Sequence, residues 1–511
     1  MPMKKSKVNR NEYKGFHPSG GEVPRINLDS YTSDKFYDDF VKARKPVVID
    51  GVIPEIDLSK FQPDSILDLL GGDELLLVEK KDKGGYGSGT ERLKMTFQTF
   101  IDTLKSGGDD YYLTTQYAED DPEEVHRALQ HKLELEESEE EEEDEQEDGE
   151  VDTDLSKDAF SDAGSFDLND LHDDFEDDGL AEEFDEDDGE DAGSLVTDKL
   201  PGEPLYSTEA ECRIQECLQK PLTKLANKIP LQPSIMDRLV PQQINLWVGK
   251  YSATSDEYTP DPTSKDYGLG RRIFGGGVSS GLHHDHADNI YIPACGHKRF
   301  TIFSPLDADK MYTVGNIQTV YPSGVIDYKN DENAPGWRTL RSDSAIETAV
   351  AQWKLDQGLE SDKHPLFLQS IEQEENALKD FETKAIDSQG VKKDPPSFSR
   401  IPAALVHLDK VEPKELQRQL TKFLEDTWPE FSKAPRLTID LKPGQMLYLP
   451  AGWFHEVTSF GTPESKDFHI ALNYWFSPPN DDDNVYTDEY WAQDFQRTRA
   501  SFEHLLKKNH M

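Results

Sequence analysis

The chain has 511 residues, of which 102 are Asp or Glu and 55 are Lys or Arg, a formal net charge of -47. A surface of that sign repels nucleic-acid phosphate, whose affinity rests on Lys and Arg displacing counterions, and it suits a basic protein or peptide partner. Hydrophobic residues make up only 35%, so part of the chain is expected not to fold. Cys212, Cys217 and Cys295 are the only cysteines, which excludes the usual zinc modules and implies a reducing compartment. No stretch reaches the ~20 apolar residues of a membrane span. The chain therefore reads as soluble and intracellular, nuclear or cytoplasmic, with Lys4-Lys5-Ser6-Lys7 read as a solvated tail before an import signal.

In chain order, residues 1–30 read as a polar arm, with Ser30 or Thr32 capping a helical Phe36 to Val41. Lys45 to Gly51 is a short buried strand, β-branched and ended by glycine. Phe97, Phe100, Ile101 and Leu104 recur at helical spacing up to a stop at Gly107-Gly108, and Tyr111 to Gln116 follows as a strand. From 119 to 204 the composition turns acidic, unbroken over Glu139 to Glu143, and such a run buries too little apolar surface to offset the entropy of ordering it. It reads as a disordered insertion, either a tether or, through Phe160, Phe166, Leu168, Leu171, Phe175 and Phe184, a docking segment.

Order is expected again from 205 to 480. Cys217 to Ile229 has helical spacing, Ile244 to Val248 is a core strand, and Gly275-Gly276-Gly277, lacking the lysine of a phosphate loop, is a turn or a site rim. Asn289 to Ala294 and Arg299 to Ser304 are expected to pair as a hairpin across Cys295-Gly296. A charged, helix-prone surface insertion occupies about 325–396, densest over Asp331 to Lys393. A helix from Pro413 to Leu424 and strands at Leu437 to Leu441 and Met446 to Leu449 follow. Residues 481–511 end in an amphipathic helix marked by Trp491, Phe495, Phe502, Leu505 and Leu506, a face that packs on the domain or meets a second copy as a homodimer.

The chemistry sits in Gly281-Leu282-His283-His284-Asp285-His286-Ala287-Asp288-Asn289. On a strand, alternation puts His283 and Asp285 on one face, with Asn289 by the same parity, and turns His284 and His286 outward. An imidazole beside a carboxylate is two-thirds of a 2-His-1-carboxylate triad, which leaves coordination positions on Fe(II) open for a co-substrate and O2. His455, presented after a strand and Pro450-Ala451-Gly452-Trp453-Phe454, completes the set. Lys298 shares its parity with apolar Phe300 and Ile302; an inward ammonium requires an anion, and the distal carboxylate of 2-oxoglutarate is one.

Ser280-Gly281-Leu282-His283-x-Asp285-x-x-x-Asn289-x-Tyr291, then Gly296-x-Lys298-Arg299, Phe398 to Ile401, Trp428 to Phe431, Leu447 to His455 and Asn473 to Phe476 resemble the JmjC-domain (cupin-like) Fe(II)- and 2-oxoglutarate-dependent oxygenases. Within them the pattern is similar to the protein hydroxylases that include the asparaginyl hydroxylase acting on hypoxia-inducible factor. The resemblance implies a mainly β fold with flanking helices, a double-stranded β-helix or jelly-roll core. It implies His283, Asp285 and His455 as iron ligands, and Lys298, Tyr112 and Ser280 at the co-substrate's far carboxylate. Asn289 and Asn473 would line the co-substrate pocket, and Tyr291 and Trp475 the substrate side. The implied reaction is hydroxylation of a protein side chain with 2-oxoglutarate and O2 converted to succinate and CO2. N-methyl-lysine demethylation by the same chemistry is the enzymatic alternative, and a non-catalytic acidic binder of basic proteins the alternative from another class.

Overall fold

The computed structural model describes residues 3–116 and 213–508, apart from residues 4, 21, 82–84, 88–91, 252–260, 262, 265–266 and 387–393. The acidic run, read as disordered, lies outside the described residues. Six strands precede it: β1 (Val8–Asn11), β2 (Arg25–Asn27), β3 (Val47–Asp50), β4 (Leu75–Lys80), β5 (Arg92–Thr96) and β6 (Tyr111–Leu113). Six follow up to residue 328: β7 (Pro241–Lys250), β8 (Val278–His283), β9 (Asp288–Cys295), β10 (His297–Phe303), β11 (Ile317–Val320) and β12 (Ile326–Tyr328). After the helical insertion come β13 (Arg436–Leu441), β14 (Gln445–Leu449), β15 (Phe454–Phe460) and β16 (Phe468–Phe476).

Nine strands form one sheet in the order β2-β3-β14-β9-β16-β7-β6-β4-β5, and four form the facing one, β13-β10-β15-β8. Period-2 alternation divides the apolar residues among three layers. Ile290, Ile292, Ile470 and Leu472 point from the large sheet toward the helices, including Phe97–Lys105, whose Phe97, Phe100, Ile101 and Leu104 are buried. Tyr291, Leu447 and Leu449 point the other way and meet Phe300, Ile302, Ile439 and Val457 between the sheets. Behind the small sheet, Leu282, Phe303 and Phe454 pack on Tyr328, Trp337 and Leu424. Two sheets enclosing a shared interior are the expected jelly roll.

Four expectations are corrected. β9 and β10 do not pair with one another: β9 bonds β14 and β16 while β10 bonds β13 and β15, so the turn at Gly296 carries the chain from one sheet to the other. Gly296 has φ +68°, and a Cβ there would overlap the carbonyl of Phe460. Residues 1–30 are not a free arm, since β1 pairs in parallel with β11, β2 pairs with β3, and Tyr13 is buried. The insertion is surface only in its second half. Ile326, Tyr328, Trp337, Leu340 and Ile346 are buried in the third layer, whereas in the helix His364–Ile386 Leu366 is 64% exposed. Cys217 to Ile229 is no continuous helix; Pro221, which lacks an N–H, precedes a short turn of helix at Leu222–Leu225.

Elsewhere local signals hold. Thr32 caps Ser33–Phe36 by accepting from Lys35 N, and one wide helical turn, Tyr37–Val41, continues it. In the C-terminal helix Tyr490–Lys508, Trp491, Phe495 and Phe502 are buried in the chain's own clusters; the side chains of Leu505 and Leu506 lie outside those described. Among the described residues, no helix is long and apolar enough to cross a membrane.

Candidate metal and co-substrate site

His283 and His455 are directly opposed in the antiparallel pairing of β8 with β15, which is why residues 172 positions apart converge. β8 ends at His283, and Asp285 lies in the turn to β9 rather than on a continuing strand. The turn aims its carboxylate back at the two rings: Asp285 Oδ1 is 3.9 Å from His283 Nε2 and Oδ2 is 3.6 Å from His455 Nε2. The three ligand atoms lie within 4.8 Å of one another. Ligands at about 2.1 Å from one cation, mutually at right angles, stand about 3 Å apart, so a small contraction seats a metal.

The ring nitrogens are already sorted for that purpose. His283 Nδ1 faces the carbonyl of Gly281 at 3.1 Å and His455 Nδ1 that of Trp453 at 2.8 Å, so each Nδ1–H is tied to backbone and each Nε2 lone pair is left for the cation. Burial, then the neighbouring His455, hold His283 well below the ordinary imidazole range, in the neutral form that ligates. Burial pushes Asp285 up from the usual carboxylate value, opposed by His455, Asn289 and Trp475. A divalent cation would outweigh that effect of burial. His283 and Asp285 keep 16% and 14% side-chain exposure against 4% for His455, so the site opens on the His283 and Asp285 side.

Backbone contacts weld the two halves together. Gly452 N donates to Asp285 O at 2.8 Å; Gly452 has φ +75°, and a Cβ there would overlap the carbonyl of Gly324. Three residues beyond Asp285, the fully buried Asp288 accepts from both ends of the Arg44 guanidinium, from Tyr448 Oη at 2.7 Å and from Ala451 N at 2.9 Å. His284 and His286 turn away from the triad as expected, but into protein rather than solvent. His284 Nε2 is 2.5 Å from Tyr328 Oη and His286 Nε2 is 2.8 Å from Ile326 O, because the first half of the insertion covers them.

Deeper in the barrel, Lys298 is 1% exposed and its Nζ donates to Tyr112 Oη at 3.0 Å and to Ser459 Oγ at 2.6 Å. No carboxylate among the described residues pairs with it, and burial pushes its pKa down to about 7. Hydroxyl groups and the rings of Tyr86, Tyr112 and Tyr291 surround this ammonium, and none of them carries the negative charge that a buried cation calls for. Tyr112 is thus against this ammonium. Ser280 is not: its Oγ donates to Gly281 O and accepts from Val457 N, because β8 carries an extra residue opposite Glu456 to Thr458. Ser459, directly opposite Lys298, takes the position instead. Tyr291, expected on the substrate side, has its ring 5.8 Å from Lys298 Nζ, at the ammonium end, since it lies two residues further along β9 than Asn289.

Asn473 donates to Asn289 Oδ1 at 3.3 Å and accepts from Trp247 Nε1 at 2.8 Å, so both expected amides line the interior between Lys298 and the triad. The Trp475 indole faces Asp285, and its buried Nε1 has no hydrogen-bond partner of ordinary geometry among the described residues. Asn245, opposite Asn473 in the register, likewise has both amide atoms buried and unpartnered.

The cupin-like domain model matches residues 33–482, most of the chain. The chain belongs to the cupin-like family that carries the JmjC domain. It is 29% identical over 532 aligned residues to the JmjC domain-containing protein 4 of Schizosaccharomyces pombe, covering 93% of this chain and 90% of that one. It is 23% identical over 237 residues to the lysine-specific demethylase JMJ32 of Arabidopsis thaliana, covering 46% and 42% respectively. JmjC proteins of this family are commonly Fe(II)- and 2-oxoglutarate-dependent oxygenases, hydroxylases and demethylases among them.

Several JmjC-site residues escape motif reading. Ser459 is legible from β15 alternation once His455 and Val457 are placed inward. Tyr86 is not: it sits in a glycine-rich stretch with no periodicity, yet its ring stacks on Tyr112 at 3.6 Å and its hydroxyl reaches Ser459 Oγ at 3.2 Å. The Arg44 and Asp288 pair, 244 residues apart, has no local signal at all.

Proposed function

We propose that this JmjC protein is an Fe(II)- and 2-oxoglutarate-dependent dioxygenase that hydroxylates a side chain of a protein substrate. The observation that carries the reading is the pairing of a His-Asp-His triad with an uncompensated buried ammonium on the same barrel interior. His283, Asp285 and His455 would hold Fe(II), and Lys298, with Tyr112 and Ser459, would receive the far carboxylate of 2-oxoglutarate. When bound, the iron supplies the chemistry by which O2 and 2-oxoglutarate become succinate, CO2 and a hydroxyl group on the substrate.

The chain's own residues contribute position and exclusion. Asn289 and Trp475 face Asp285 and favour its ionised form; the Phe398 ring stacks on His283 at 4.8 Å and 11° and holds the plane of that ring. Tyr86 covers Tyr112 and keeps water from the ammonium. The net charge of -47 favours a basic protein substrate. N-methyl-lysine demethylation is a second reading, favoured by the likeness to a protein named as a lysine-specific demethylase. A purely binding role leaves the complete triad and Lys298 unexplained.

The purified chain is expected to convert 2-oxoglutarate to succinate in an Fe(II)-dependent way, with His455→Ala showing none. On the substrate captured with it, mass spectrometry should find a gain of one oxygen. Methyl loss with formaldehyde release would instead establish the demethylase, and equal turnover by the wild type and the variant would remove the oxygenase reading.

A further inference from the structure

Beyond Lys298 the same interior holds a group that the reading above leaves unused. His469 lies on β16, fully buried, and neither ring nitrogen has a hydrogen-bond partner among the described residues. The register puts it in a row with Gly249 of β7 and Tyr112 of β6, across three adjacent strands. A Cβ at 249 would come 2.5 Å from both the His469 and the Tyr112 rings, so the absent side chain is what lets these two rings share that space, 5.4 Å apart between centroids. Parity with Ala471 and Asn473 turns His469 inward. Burial, then the charges of Lys298 and Lys81, hold it well below the ordinary imidazole range, so it is neutral and carries one N–H and one lone pair.

The hydrogen-bond inventory around it is lopsided. Lys298 spends two of its three N–H groups on Tyr112 and Ser459, whose oxygens accept, and the hydroxyl groups of Tyr112, Tyr86 and Ser459 bond among themselves. Tyr86 and Ser459 share one further contact. The third Lys298 N–H and the His469 N–H thus remain as donors in one enclosed place with no carboxylate among the described residues to receive them. Buried donors without acceptors are rare in folded proteins, and a cluster of them marks a ligand.

We propose that His469 donates its ring N–H to the carboxylate that Lys298 receives, and that its ring closes the pocket floor and so limits the length of the 2-oxo dicarboxylic acid accepted. The inference rests on the oxygenase reading for the identity of that acid. Lys298 neutralises the charge; His469 fixes the second oxygen and the depth.

The test is anaerobic calorimetric titration of the Fe(II)-loaded full chain with 2-oxoglutarate and with 2-oxoadipate, one methylene longer, so that binding is read without turnover. Relative to wild type, His469→Leu should weaken 2-oxoglutarate binding about tenfold, the effect of one hydrogen bond to a charged group, while His469→Gln, which keeps an N–H, should stay within about threefold. His469→Ala should shift preference toward 2-oxoadipate by about tenfold. Fe(II) affinity should be unchanged in all three. Binding of 2-oxoglutarate by His469→Leu within about twofold of wild type, or an equal loss of Fe(II) and co-substrate affinity, overturns the role of His469 and leaves the oxygenase reading standing. A wild type that takes up Fe(II) but neither acid overturns both.

Discussion

Lys298→Met is expected to give a protein that unfolds at higher denaturant concentration than the wild type at pH 6 and has lost 2-oxoglutarate binding by about a hundredfold or more. The two effects have one cause. Burial holds the Lys298 pKa near 7 against an ordinary 10.5, a difference of roughly 5 kcal/mol between its charged states in the folded chain. Because the folded value is the lower one, the unfolded chain binds the extra proton between about pH 7 and 10.5, and stability rises with pH across that window. Below pH 7 both states carry the charge and the full burial cost is present. Methionine, of similar length, removes the cost at every pH, so the difference in stability between variant and wild type should shrink as pH rises from 7 toward 10. The wild type should also take up a proton when it binds 2-oxoglutarate at pH 8, seen as a dependence of the binding heat on buffer ionisation, and the variant should not. A variant no more stable at pH 6 that binds 2-oxoglutarate normally would mean that Lys298 faces no anion.

Asp288→Ala is expected to leave little folded protein. The substitution strands Arg44, 4% exposed, without its carboxylate, and breaking a buried pair from one side costs about 3–5 kcal/mol against a total stability of about 5–15 kcal/mol. The loss should exceed that of an isolated pair, because Asp288 also holds Tyr448 Oη and Ala451 N, while Arg44 O accepts from Tyr13 Oη and Trp453 Nε1. These bonds tie the segment before β3, the start of β9 and the approach to His455 into one knot, three residues from Asp285 and four from His455. The double variant Arg44→Met with Asp288→Leu should recover part of the stability, since neither charge is then buried alone. Whatever fraction of Asp288→Ala does fold should bind Fe(II) more weakly. Unfolding midpoints and soluble yield read the outcome; a single variant as stable as wild type would show the knot to be incidental.

The two segments that carry the triad are legible because their information is local: His283, Asp285 and His455 sit in short motifs, and β-strand parity predicts the inward turn of Lys298 from Phe300 and Ile302. Parity also found Asn289, although the actual path goes through a turn at Asp285 and restarts with β9. What parity could not see is which sheet a strand joins. The hairpin expected across Gly296 failed for this reason, since adjacent apolar strands pair in most folds and only the jelly-roll crossover separates them. Ser280 was misplaced by a single extra residue in β8, the kind of irregularity that shifts register without marking composition. Parity alone turns His284 and His286 toward solvent because the segment that buries them, residues 326–346, reads as a charged insertion. Its apolar residues are too scattered to show periodicity, yet they pack with Leu282, Phe303 and Phe454 behind the small sheet. His469 shares the barrel interior with Lys298, 171 residues away, and Arg44 pairs with Asp288 across 244, distances at which a single sequence is silent.

The most direct test of the whole account is anomalous scattering from crystals grown anaerobically with Fe(II). One peak per chain is predicted, about 2.1 Å from Nε2 of His283, Nε2 of His455 and a carboxylate oxygen of Asp285, with Lys298 deeper in the barrel and free to meet a co-substrate. An iron bound elsewhere, or none under conditions in which the protein is folded, would contradict it.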